Sequence, residues 1–71
     1  MNLYLISQNF NSGYDTHDSA VVAAKTEELA RLTEVGYGGT WCSPEHVQVQ
    51  LIGKAVKGTK PGVILASFNA G

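Results

Sequence analysis

The stretch GYDTHDSAVVAAKTEELARLTEVG, residues 13–36, decides the fold because it holds a polar loop, a strand and the one convincing helix of the chain. Its strand is SAVVAAK, residues 19–25, in which small apolar side chains face both ways. Thr26 is a good N-cap, and the two glutamates that follow place negative charge in the first turn, where the helix dipole favours it. We therefore predict a helix over residues 27–35.

An apolar stripe along this helix predicts that it packs on a sheet. Leu29, Leu32 and Val35 recur at a spacing of three residues and run beside Ala30. Gly36 is expected to end the helix as its C′ residue, since glycine adopts a positive φ without a steric cost.

Three further strands are predicted from the rest of the chain. Residues 2–8 are apolar on both faces, as is typical of an interior strand. Residues 47–56 alternate between apolar and polar side chains, with a bulge expected near Gly53. Residues 63–68 form the last strand, and KGTKPG at 57–62 has the composition of a hairpin turn.

The predicted order β-β-α-β-β indicates an α+β fold, in which one four-stranded, mainly antiparallel sheet carries a single helix. A right-handed crossover from the second strand through the helix to the third would pass over the first strand and give the strand order 2-1-3-4. The first strand beside the fourth is the alternative.

Ser43 before Pro44 also predicts a short capped helical turn. We expect one domain, residues 1–71, because a chain this short builds a single small core.

Charge and composition argue against several classes of function. The formal net charge is −1, with five basic and six acidic residues, which argues against a nucleic-acid-binding protein. Lys54, Lys57 and Lys60 gather in one segment, which is more typical of a solvated hairpin tip than of a phosphate site. No apolar run approaches the length of about 20 residues that a membrane helix needs. Cys42 is the single cysteine, so no intrachain disulfide forms, and we expect a cytoplasmic protein.

The helix is too small for the sheet that the sequence predicts. Nine helical residues would be about 14 Å long and about 10 Å wide, whereas four strands make a sheet about 19 Å across. Tyr4, Ile6, Ile64 and Phe68, or the residues that alternate with them, would then be exposed on the second face. Such a patch is typical of an interface. We therefore predict a homo-oligomer, most simply a dimer through sheet faces or a sheet edge.

Polar and aromatic side chains in the two long loops form the candidate binding site. Tyr14, Asp15, His17 and Asp18 crowd the first loop, and Trp41 lies in the second. Aromatic rings beside carboxylates and imidazole are typical of protein or nucleotide-like recognition. The alternative is that the aspartates cap turns and the rings close the core. Whether loops 9–18 and 37–46 form one site stays open.

Metal binding and catalysis have weaker support from the sequence. Cys42 and His46 have a spacing compatible with half of a zinc site, but no second local pair accompanies them, although Asp15 and His17 could converge on them. A cysteine beside Trp41 is more often a small buried hydrophobic residue than a nucleophile. We expect no metal, no cofactor and no enzymatic activity.

Three segments resemble small proteins encoded by bacteriophages and prophages: GYDTHDSAVVAAKTEELAR (13–31), WCSPEHVQVQLIGKA (41–55) and GVILASFNAG (62–71). In those proteins a GYDTYDSAVV-type segment, a W-[CS]-SPE-V segment and a GVILASFNAG-type C-terminus recur, and His17 stands where a second tyrosine is expected. The resemblance implies a phage-type accessory protein within the host cell. The leading hypothesis is a non-catalytic binding protein that inhibits or modulates a host or defence component. The alternatives are a protein that binds or sequesters a small nucleotide-like ligand, and a virion structural or assembly protein.

Overall fold

Four strands, one short α-helix and a 3₁₀ turn make up the described part of the chain. The computed structural model describes residues 1–8, 16–36 and 41–69. The elements are β1 (Asn2–Ser7), β2 (Thr16–Ala24), α1 (Glu27–Arg31), the 3₁₀ turn (Pro44–His46), β3 (Gln48–Lys54) and β4 (Gly62–Asn69). Their order, with the strands in one sheet, confirms the predicted α+β fold.

The strands lie in the order β3-β1-β2-β4, and all three neighbouring pairs are antiparallel. The prediction that β1 lies between β2 and β3 is confirmed. The rest of the predicted order 2-1-3-4 is wrong, because β4 pairs with β2 and not with β3, and the alternative of β1 beside β4 is also wrong.

The connection between β3 and β4 explains this difference. Residues 57–62 do not form the predicted hairpin, since β3 and β4 lie at opposite edges of the sheet. The seven residues 55–61 can span about 23 Å when extended, which exceeds the distance of about 14 Å between the edge strands. They therefore cross one end of the sheet. The free edge of β2 then pairs with β4 at seven positions, from Thr16 to Ala23.

β2 begins three residues before the predicted start at Ser19. Thr16 pairs with Asn69 and His17 with Phe68, and the amide of Gln8 donates to the carbonyl oxygen of Asp18 at 3.0 Å. His17 and Asp18 therefore lie in a strand and not in the predicted polar loop. Strand pairing uses backbone groups, so polar side chains at a strand end do not prevent it.

α1 has five residues and ends well before the predicted residue 35. Its predicted N-cap is confirmed, because the Thr26 hydroxyl accepts a hydrogen bond from the Leu29 amide at 3.2 Å. At the other end the Thr33 amide bonds to the Ala30 carbonyl oxygen at 3.1 Å, and this shorter-range bond tightens and ends the last turn. Gly36 has a φ of 72°, yet it lies beyond the helix and is not its C′ residue.

The predicted apolar stripe is only partly correct. Ala30 and Val35 are buried, whereas Leu29 and Leu32 are 50% and 58% exposed. Val35 reaches the core from the segment after the helix, since α1 ends at Arg31.

Register shifts bend the sheet at three places. The bulge expected near Gly53 is confirmed: Leu3 pairs with Gly53 and Tyr4 with Leu51, which leaves Ile52 as the extra residue of β3. Ile64 is the extra residue of β4, and Asp18 is the extra residue of β2. Both edge strands therefore carry a bulge.

The core lies between the sheet and α1. The helix packs over β1, β2 and β3. The core side chains are Tyr4, Ile6, Ala20, Val22, Ala24, Ala30, Val35, Cys42 and Val47, with Trp41 and Val49 packed against them. The predicted helical turn forms as a 3₁₀ turn with Pro44 at its start, but the predicted cap is wrong, because the Ser43 side chain makes no capping hydrogen bond. The turn leads the chain from Cys42 back into β3.

Candidate functional site

The sheet face opposite α1 is built from all four strands, and we call it the open face. Tyr4 and Ile6 of β1 point toward the helix and are buried, so Leu3, Leu5 and Ser7 point the other way. Within the described ranges no helix packs on this second side.

The register arranges the open face in three rows that run across the strands. The central row is apolar apart from one glutamine at its end, the second row is polar, and the third is made of small residues around one leucine. From β3 to β4 the rows are Gln50-Leu5-Val21-Leu65, Gln48-Ser7-Ser19-Ser67 and Gly53-Leu3-Ala23-Gly62. None of the twelve residues is charged.

A shallow depression lies where the apolar and polar rows meet. Its volume is about 300 Å³, and Leu5, Val21, Leu65, Ser19 and Ser67 are among its lining residues. Leu65 is 68% exposed. The surface therefore offers an apolar centre with hydroxyl groups along one side, the arrangement that interfaces use for a dry core beside a hydrogen-bonding rim.

Asp18 lies at the border of the open face. The Ser67 hydroxyl donates a hydrogen bond to Oδ2 of Asp18 at 3.3 Å. His17, the preceding residue, is half-buried, and its carbonyl oxygen accepts a hydrogen bond from Nε2 of Gln8 at 2.6 Å. Asp18 therefore adds a carboxylate next to the polar row.

The structure does not bring all the predicted binding residues together. Trp41 packs against the core on the helix side of the sheet, whereas Asp18 contacts Ser67 on the open face. The buried Nε1 of Trp41 has no hydrogen-bond acceptor among the described residues. Tyr14 and Asp15 lie outside the described residues.

Metal-ligating side chains do not cluster in the part of the chain that the structure describes. Nowhere within residues 1–8, 16–36 and 41–69 do three histidine, cysteine, aspartate or glutamate side chains converge as a metal site requires. Nε2 of His46 lies 3.8 Å from Oε1 of Glu45. Cys42 is buried. Burial raises the pKa of its thiol, the nearby Glu45 carboxylate adds to the rise, and a hydrogen bond with its own backbone opposes it.

The predicted binding site includes neither Leu5, Val21 and Leu65 of the central row nor Ser19 and Ser67 beside them. The alternation within each strand could have indicated them, because residues two positions apart, such as Leu3, Leu5 and Ser7, lie on the same face of a strand. Strand order and register were needed to align these residues across the sheet.

In comparisons with known proteins, no family model, curated protein or solved structure matches the chain. Within the described residues, α1 and the 3₁₀ turn are both too short to cross a membrane as a helix.

Proposed function

We propose that this protein is a non-catalytic accessory protein that acts as a homo-oligomer and binds another protein through its open face. The observation that carries the proposal is the central row, in which Leu65 is exposed and Leu5 and Val21 are half-buried, beside the polar row that contains Ser19 and Ser67. Apolar surface of this kind on a small domain is typical of an interaction site.

The mixed character of the open face favours a separate protein partner over a stacked second copy. Face-to-face stacking of two identical sheets would bury the hydroxyl groups of Ser7, Ser19 and Ser67. Each buried hydroxyl would then need a hydrogen-bond partner in the second sheet. A protein partner with its own polar groups can match the serine row while its apolar side chains cover Leu5 and Val21.

The absence of charge on the twelve open-face residues bears on the kind of partner. Without a lysine or arginine in the three rows, phosphate groups find no cation there. This favours a protein over a nucleotide or a nucleic acid. On the resemblance of residues 13–31, 41–55 and 62–71 to phage-encoded proteins, we propose that the partner is a host or defence component.

A capture experiment with two matched variants tests the proposal. The chain is immobilised, exposed to bacterial host lysate, and each captured protein is then purified and retested alone. Val21→Lys places a charge in the centre of the open face, whereas Leu32→Lys places the same charge at the exposed C-cap of α1. We expect Val21→Lys to weaken binding at least about tenfold, which corresponds to about 1.4 kcal/mol, and Leu32→Lys to leave it unchanged.

Equal binding by both variants would show that the open face is not the contact surface. Recovery of virion proteins alone would instead support a structural or assembly role. If Val21→Lys does not fold, Leu65→Gln examines the same surface, because that side chain is already 68% exposed.

Binding of a small nucleotide-like ligand is the second candidate function. The depression of about 300 Å³ lies at the lower end of the usual volumes of ligand pockets, and its hydroxyl groups could orient a base or a sugar. A thermal-shift screen against nucleotides tests it, since a ligand that binds only the folded state raises Tm. A rise that Ser19→Ala abolishes would favour this function over protein binding.

A further inference from the structure

β4 presents a long, uncharged edge that no other described strand or helix covers. Its eight residues, GVILASFN, contain no charged side chain, and the strand pairs with β2 on one side only. Val63, Ile64 and Leu65 are 41%, 53% and 68% exposed. Edge strands of this composition are open to pairing with another strand, because unpaired backbone groups face outward.

The opposite edge of the sheet, which β3 forms, is less accessible for pairing with another strand. β3 ends in Lys54, and α1 packs over this side of the sheet. The 3₁₀ turn leads directly into the start of β3, where Arg31 donates to the carbonyl oxygen of Val47. The two edges therefore differ, although each carries one bulged isoleucine.

We infer that the β4 edge is the surface through which two copies of this chain associate, with β4 of each copy pairing antiparallel across a twofold axis. The inference rests on the self-association in the proposed function and not on the identity of the protein partner. A second copy suits this edge because β4 brings no like charges face to face when it pairs with itself.

Charges at the two ends of β4 favour the antiparallel arrangement. Exposed Lys57 and Lys60 precede the strand, and exposed Asp18 lies beside its other end, next to Ser67. An antiparallel pair directs the lysine end of one copy toward the Asp18 end of the other. A parallel pair would place lysine ends together, where like charges repel.

This pairing enlarges the open face. A twofold axis perpendicular to the sheet makes a continuous eight-stranded sheet with both open faces on one side and both helices on the other. The Leu65 side chains of the two copies then lie near the centre of one apolar surface. A protein partner would meet two equivalent surfaces, so the dimer is suited to bivalent binding.

Two isoleucines provide matched variants for the test. Ile64 and Ile52 are each the extra residue of a bulge on an edge strand, and they are 53% and 48% exposed. Light scattering after size exclusion at micromolar concentration should give twice 7.6 kDa for the unmodified chain. We expect Ile64→Lys to reduce the mass to that of one chain, and Ile52→Lys to leave the dimer intact.

A second measurement covers the case in which Ile64→Lys does not fold. Hydrogen exchange of the unmodified chain should slow at β4 amides as the concentration rises, while β3 amides stay unchanged. A single-chain mass for the unmodified protein would overturn the self-association, though not the binding of a partner to the open face. Dissociation by Ile52→Lys but not by Ile64→Lys would show that the copies associate through β3. That result would overturn the assignment of the interface to β4 but not the self-association.

Discussion

The guanidinium group of Arg31 donates a hydrogen bond to the backbone carbonyl oxygen of Val47. A second hydrogen bond, of 3.4 Å, runs from the same nitrogen to the carbonyl oxygen of Pro44. Arg31 is the last residue of α1, and Val47 is the buried residue just before β3. One side chain therefore fastens the end of the helix to the turn that starts the third strand.

Replacement of Arg31 by methionine should destabilise the fold. The substitution keeps most of the apolar stem but leaves the carbonyl oxygen of Val47 without its charged donor, and we expect a loss of about 1–2 kcal/mol in the free energy of unfolding. Urea unfolding followed by circular dichroism measures it. Lys25→Met is the control, because Lys25 is exposed and its loss should change stability by less than about 0.5 kcal/mol.

The N-cap of α1 offers a second prediction. Since the Thr26 hydroxyl accepts a hydrogen bond from the Leu29 amide, Thr26→Ala should lower the free energy of unfolding by about 1 kcal/mol. Thr26→Ser keeps the hydroxyl and should retain most of that stability. Equal losses in the two variants, measured by thermal unfolding, would show that the cap does not stabilise this short helix.

Two glycines in strands should respond differently to substitution by alanine. Gly62 at the start of β4 has a φ of 131°, a backbone angle that residues with a side chain rarely adopt. Gly62→Ala should therefore lower the free energy of unfolding by about 1–3 kcal/mol. At Gly53 an added Cβ would meet no atom within 4 Å. Gly53→Ala should therefore change stability by less than about 0.5 kcal/mol. Urea unfolding of both variants under one set of conditions checks the difference.

Local features of the fold followed from the sequence because their causes are local. The preferences of a few neighbouring residues determine three of these features: the N-cap at Thr26, the start of the 3₁₀ turn at Pro44 and the bulge beside Gly53. Where α1 stops was missed, because the pattern of Leu29, Leu32 and Val35 suits a longer helix. The Thr33 amide instead bonds to Ala30 and ends it.

The position of β4 could not be read from the sequence. Residues 57–62 have turn composition, yet turn residues do not specify which strand edge receives the next strand. A strand such as 63–68, apolar on both faces, suits either edge. The open face depends on this choice, because Leu65 and Ser67 join Val21 and Ser19 only when β4 pairs with β2.

The candidate site was predicted only in part for the same reason. Asp18 lies beside the open face, but the sequence placed it in a loop, since polar residues at the start of a strand resemble a turn. Trp41 lies with the core on the other side of the sheet. Which side chains share a surface depends on long-range pairing, and a single sequence carries little information about it.

The thiol of Cys42 predicts how stability changes at alkaline pH. Burial raises its pKa in the folded state, so above about pH 8.5, the usual pKa of a free thiol, the unfolded chain loses this proton more readily than the folded chain. The free energy of unfolding should then fall as pH rises, while the contribution is fully present at neutral pH. Cys42→Ala should show a shallower decline over the same range in urea titrations at several pH values. Because the variant retains every tyrosine and lysine, the difference between the two curves isolates the thiol, and parallel curves would contradict a raised pKa.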